Sequence, residues 1–155
     1  MPLEPPPRDE SSGNVIPHDH TGIGPSDGVI RRISENQIIT DKNGQRRISS
    51  KAFQGSSETN SGMSVDLECS IVDAGLDPKV YVTTPRWIGS VRFEAGALRS
   101  EGFLVGFHPL PKNPHHGEVW GEFTRLKKRT LQRLCEWFVP IEGVLTSQTE
   151  PSARG

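Results

Sequence analysis

Four cations, Arg125, Lys128, Arg129 and Arg133, recur at spacings of three, one and four in a stretch whose apolar residues are also periodic. On a helix these spacings gather the four on one face, where guanidinium and ammonium groups can bind carboxylates or phosphates. Only Glu136 balances them. Trp137 and Phe138 fall on the opposite, apolar side, so the aromatic stacking platform of a single-strand binder is missing. The stripe suits an acidic partner, protein or nucleic acid. The histidines are the second set: His18, His20, His108, His115 and His116. His18-Asp19-His20 has metal-ligand chemistry but lies in a proline-rich stretch. His115 and His116 are adjacent and point apart in an extended chain. Zinc-hydrolase and Cys-x-x-Cys spacings are absent, so no metal site is expected. His108 directly follows an apolar strand, a position that often lines a cleft. A metal hydrolase built on His108, His115 and His116 is the most distant alternative.

A third constellation joins Arg31 and Arg32 on the first strand, Ser49 and Ser50 after a hairpin, and Glu118 on a late strand. A carboxylate that accepts a hydrogen bond from a sugar hydroxyl and stabilises an oxocarbenium-like transition state suits cleavage of a C–N bond. This order of residue types weakly resembles the ADP-ribosyltransferase superfamily. The resemblance implies NAD as the bound molecule, held by Arg31 or Arg32 and Ser49, with Glu118 engaging the nicotinamide ribose. Without that reading no cofactor is expected.

Composition narrows the field. Lys and Arg number 18 against 19 Asp and Glu, for a net charge of −1, which excludes a globally basic nucleic-acid coat. No apolar run approaches a membrane span, and Met1 to Glu10 lacks the apolar core of a secretory leader. Two cysteines, Cys69 and Cys135, build neither a disulfide framework nor a zinc site. No Gly-x-Ser-x-Gly elbow occurs, and Cys69 has the helical setting of an inert thiol. The expectation is a soluble, cytoplasmic protein.

The elements that must position these residues follow from periodicity. Pro2, Pro5, Pro6, Pro7, Pro17 and Pro25, six of 13 prolines, mark 1–28 as a disordered arm. Residues 29–141 form a single domain and 142–155 a flexible tail. Val29 to Ile33 reads as a strand. Ser34 and Gln37 have capping-box spacing. Asn43-Gly44 predicts a hairpin pairing Ile39 with Ile48. Gly55 to Gly62 reads as a mobile loop. Ser64 can cap a helix to about Ala74, with Asp66 and Glu68 in its first turn. Val80 to Val82 and Trp87 to Glu94 read as strands, and Ala95 to Glu101 as a helical turn. Phe103 to Phe107, apolar on both faces, reads as an interior strand, and Gly117 to Gly121 as a short one. From Phe123 to Phe138 the apolar residues span about 140° of helical arc, with Thr124 as cap and Pro140 as stop. The class is α+β: a mixed or mainly antiparallel sheet packed by two helices.

The stretches Ile48-Ser49-Ser50-Lys51-Ala52-Phe53, Met63-Ser64-Val65-Asp66-Leu67 and Asn113-Pro114-His115-His116-Gly117-Glu118-Val119-Trp120-Gly121 resemble a group of small uncharacterised bacterial proteins, over most of residues 29 to 138. The resemblance implies a bacterial protein acting beside other gene products and no particular reaction. Here Gly121-Glu122-Phe123 stands where the group has a Gly-Lys-Lys-like run, which argues against a lysine-based mechanism. The leading expectation is a small accessory or interaction protein whose basic helix binds an acidic partner; whether it is also an enzyme stays open.

Overall fold

The computed structural model describes residues 2–55 and 62–148 of the 155-residue chain. These residues hold nine strands and four helices of the α+β class that the sequence predicts. Six strands form an antiparallel sheet in the order β6 (Leu104–Phe107), β7 (His116–Trp120), β4 (Met63–Leu67), β1 (Gly28–Ile33), β5 (Gly89–Glu94) and β8 (Glu136–Val139). A small mixed sheet joins β2 (Ile38–Thr40), β3 (Arg46–Ile48) and β9 (Val144–Leu145).

Alternation along the strands divides the side chains between two faces. Val29, Ile33, Leu67, Val91, Phe93 and Val119 point to the main core, beneath Leu98 of α3 (Ala95–Ser100) and Leu131 of α4 (Arg125–Leu134). The other face carries a smaller cluster: Ile30 meets Ile71 of α1 (Glu68–Asp73) and Val82, with Tyr81 of α2 (Pro78–Tyr81) and Phe138 packed against it. These helices are too short to stand alone. Each large apolar side chain they bury contributes about 1.5–3 kcal/mol.

Several elements differ from their sequence reading. Met63 to Leu67 is not the start of a helix: it is a strand paired with both β1 and β7, and the helix begins only at Glu68. Ladder bonds on both edges outweigh the capping potential of Ser64. Val80 to Val82 lies in and just after a helical turn, because Asp77 accepts from the Lys79 N–H and Pro78 opens the helix. The helix expected over Phe123 to Phe138 stops at Leu134. Cys135 is extended and Trp137 and Phe138 belong to β8, an edge strand beside β5. An apolar pair that suits a helix face suits a strand equally, and the open edge of β5 decides. The hairpin register is one residue off: Ile38, not Ile39, faces Ile48. Gly44, at φ 79°, closes a three-residue loop instead of a two-residue one. Ser34 and Gln37 do form the expected capping interaction, with the Ser34 N–H donating to Gln37 Oε1 at 2.9 Å.

Both ends of the predicted domain extend further. Residues 2–27 carry no helix, yet Ile23 is fully buried and Leu3 packs on the core. Proline content foretells little apolar burial; hydrogen bonds hold the segment instead. It lies along β6, which is an edge strand and not an interior one. Val144 and Leu145 pair in parallel with β3, so the expected tail begins inside a sheet. The loop expected at Gly55 to Gly62 falls largely on 56–61, outside the described residues. Among the described residues no helix is long and apolar enough to cross a membrane.

Candidate functional site

Three regions hold the residues singled out above. The first is the contact between the N-terminal segment and β6. His18 Nδ1–H donates to Ile16 O at 2.8 Å, and its Nε2 accepts from the Phe107 N–H at 3.1 Å. His20 Nε2–H donates to Glu4 O, and its Nδ1 accepts from the Gly22 N–H. Asp19 Oδ1 accepts from the Val105 N–H at 3.0 Å and from Arg99 Nε at 2.9 Å. The His20 N–H donates to Val105 O, so the segment supplies the partners an added strand would. Gly106 makes the approach possible: a Cβ there would sit 2.8 Å from His18 O and 2.4 Å from the Trp120 ring. The His-Asp-His triplet is thus a latch on a strand edge, not a metal site.

The second region is a groove of about 400 Å³ lined by residues of β1, β4 and β7. The β1–β4 ladder consists of two pairs, Val29 with Leu67 and Ile30 with Asp66. Where it ends, the Arg31 side chain takes over. Its Nε donates to Ala52 O at 3.0 Å and its Nη1 to Ser64 O at 2.8 Å. Burial pulls its pKa down to about 10, with Asp66 opposing the shift. Arg32 makes a two-pronged ion pair with Asp66, at 2.7 and 3.1 Å, and stacks over the Tyr81 ring. Asp66 also accepts from the Asn113 side-chain amide, whose oxygen accepts from Tyr81 Oη–H at 2.6 Å. Trp87, Leu110 and His116 complete the wall. His116 Nδ1–H donates to His108 O at 2.8 Å, and burial holds its pKa below the ordinary histidine value.

His108 and Glu118 stand together beyond His116. His108 Nδ1 is buried 3.1 Å from Glu118 Oε1 but off the hydrogen-bonding direction. The other Glu118 oxygen accepts from the Gly62 N–H. Ser49 does not join these residues: it caps the turn Ser50–Ala52 by accepting from the Lys51 N–H. Of the NAD-type constellation, the structure brings Arg31 and Arg32 to one groove, sets Glu118 beside His108, and leaves Ser49 apart. His115 turns to α1, where its Nδ1 meets Ser70 Oγ at 2.7 Å. Among the described residues no cluster of three His, Cys, Asp or Glu could hold a metal ion. Burial raises the Cys69 thiol and pushes Cys135 up to about 12, so neither is a ready nucleophile. Trp87, Asp66 and Asn113 were not foreseen as site residues. The Trp87-to-Glu94 alternation and the Asn113-Pro114 turn were the available signals.

The third region is α4. Thr124 caps it by accepting from the Lys127 N–H. Arg125, Arg129 and Arg133, one turn apart, are exposed, and none pairs with a carboxylate among the described residues. Lys128 leans to Gln54 Oε1 at 3.1 Å, and Arg133 to Thr130 Oγ1. Lys127 is the cation that is neutralised, by Glu101 at 3.3 Å. Leu126, expected on the buried face, is 69% exposed next to the arginines, because the helix is anchored through Leu131 instead.

Comparison of the chain with protein-family models, with curated proteins and with solved structures returns no match.

Proposed function

We propose that this protein is an interaction module whose α4 docks an acidic segment of a partner protein. The observation that carries the reading is the row Arg125, Arg129 and Arg133: three exposed guanidinium groups in register along the helix, with no carboxylate partner among the described residues. A guanidinium fork matches a carboxylate in two-pronged geometry. Leu126 favours a protein over a nucleic acid. An exposed leucine flanked by cations has the make-up of an interface anchor with a charged rim, whereas a phosphate backbone gains little from it. The overall charge of −1 points the same way, since broad attraction to nucleic acid is missing.

The test uses a synthetic helical peptide with glutamate at every fourth position beside a leucine, and a single-stranded oligonucleotide as competitor. Salt-sensitive peptide binding is expected. The triple variant Arg125→Glu, Arg129→Glu, Arg133→Glu should weaken it more than roughly tenfold, and Leu126→Ser severalfold, with unchanged unfolding midpoints. Preference for the oligonucleotide, indifference to Leu126→Ser, or no peptide binding would overturn the reading.

A further inference from the structure

The six-stranded sheet ends in two edges, and they are treated differently. Along β6 the Val105 and Phe107 N–H groups are taken by Asp19 and His18. β8 pairs with β5 and with no other described strand. Beside β8 lies a groove of about 470 Å³ lined by Lys79, Val80, Thr83, Phe138, Val139 and Pro140. Val80 is 71% exposed, and Trp137, Phe138 and Val139 are half-buried. An open apolar edge next to an apolar groove is surface that association would cover.

Opposite charges flank this edge. Glu136 opens β8 and is exposed. It stands opposite Arg92, which stands opposite Ile30, so Glu136 lies on the sheet face that α2 covers. Arg92 is already held by Glu68 at 3.0 Å, and Glu136 pairs with no cation among the described residues. The groove runs from Phe138 toward Pro140, away from Glu136. There Lys79 Nζ sits 5.4 Å from the Phe138 ring centroid and pairs with no carboxylate among the described residues. Phe138 is the extra residue of a bulge against β5, and both it and Val139 pack on the α2 side. A bulge limits ladder pairing at an edge, so apolar contact and charge must carry most of any association.

We propose that β8 and the groove beside it form a homodimer interface, two copies meeting antiparallel about a two-fold axis. An axis between Trp137 and Phe138 sets Glu136 of each copy opposite Val139 of the other, within reach of that copy's Lys79. The patch is then self-complementary, as a closed two-fold dimer requires. A second copy answers both charges and the apolar middle at once, which an unrelated acidic or basic strand does not. α4 packs on the other face through Leu131, so this interface is separate from its docking role.

Sedimentation equilibrium of the full chain is the test. A reversible monomer–dimer equilibrium is expected, with a Kd on the order of 10 μM, as suits a small interface. Lys79→Glu sets like charges against each other at both contacts and should weaken the dimer at least roughly tenfold, as should Glu136→Lys. Both residues are exposed, so unfolding midpoints should hold. Mixing the two variants is the deciding arm: the mixed dimer has opposite charges at both contacts and should recover most of the original affinity. Val80→Asp should weaken the dimer severalfold. A monomer at every concentration, a dimer indifferent to these substitutions, variants that do not recover on mixing, or assembly beyond the dimer would overturn the proposal.

Discussion

Two histidine pairs in this protein make opposite use of the same side chain. In the latch on β6, both ring nitrogens of His18 and of His20 are engaged, and Asp19 between them accepts from Val105 and Arg99. At the groove wall His116 uses one nitrogen and keeps the other, and behind it, outside the groove, His108 has a buried Nδ1 with the Glu118 carboxylate near it but misaligned. A region whose polar atoms are matched is holding chain together. A region with donors and acceptors left over in a concavity is shaped for something else. By sequence the first pair has metal-ligand chemistry and the second is notable for His108 at a strand end that could line a cleft; pairing, not residue type, separates them.

The sharpest way to break this contrast is at Asp66, which holds Arg32 and Asn113 together in the groove. Asp66→Ala strands Arg32, whose side chain keeps 21% of its exposure. It should cost about 3 kcal/mol, the low end for breaking a buried pair, in denaturant unfolding. A cost under about 0.5 kcal/mol, the range of ordinary surface substitutions, would mean the pair is not structural. At the latch, Asp19→Ala removes the acceptor of the Val105 N–H and the partner of Arg99. A loss of about 1–2 kcal/mol is expected, along with faster hydrogen exchange at the Val105 amide and quicker proteolysis of the N-terminal segment. Unchanged exchange at Val105 would show that the matched polar atoms are not what fixes that segment.

The smallest expected effect is in pH. His116 has a folded pKa below its unfolded one, through burial, so the unfolded chain takes up its proton first as pH falls. Stability from this group is therefore complete above the unfolded value of about 6.5. It declines as pH drops below that value and levels off under the folded pKa. Replacement His116→Asn, whose amide can still donate to His108 O, should flatten that part of the stability–pH curve. An identical slope in both proteins would place the dependence elsewhere.

The α+β class was legible in part from alternation: Trp87 to Glu94 shows it, and its Gly89 to Glu94 portion lies in the sheet, as does Val29 to Ile33, an apolar strand interrupted by two arginines. Length was legible less often. Phe123 to Phe138 reads as one helix because Trp137 and Phe138 continue its apolar arc, and only the place beside β5 makes them a strand. Met63 to Leu67 looked like a capped helix for the same reason: a middle position in a sheet is a property of partners far along the chain. Of the candidate site, Arg31 and Arg32 were visible as unusual charges on an apolar strand, and His108 as a residue at a strand end. Asp66, Asn113 and Trp87 come from three separate segments, and their meeting depends on how β4 and two loops are placed. The cations of α4 were visible from spacing alone, since helix faces are local.

The covering of β6 by residues 18 to 20 carries one more consequence. A chain deprived of that segment would present the Val105 and Phe107 amides bare, in a strand that contains little else than apolar residues. Such a strand is a template on which a second molecule can add its own, sheet continuing into sheet. Three polar residues among prolines thus keep that edge from carrying the sheet on into another molecule.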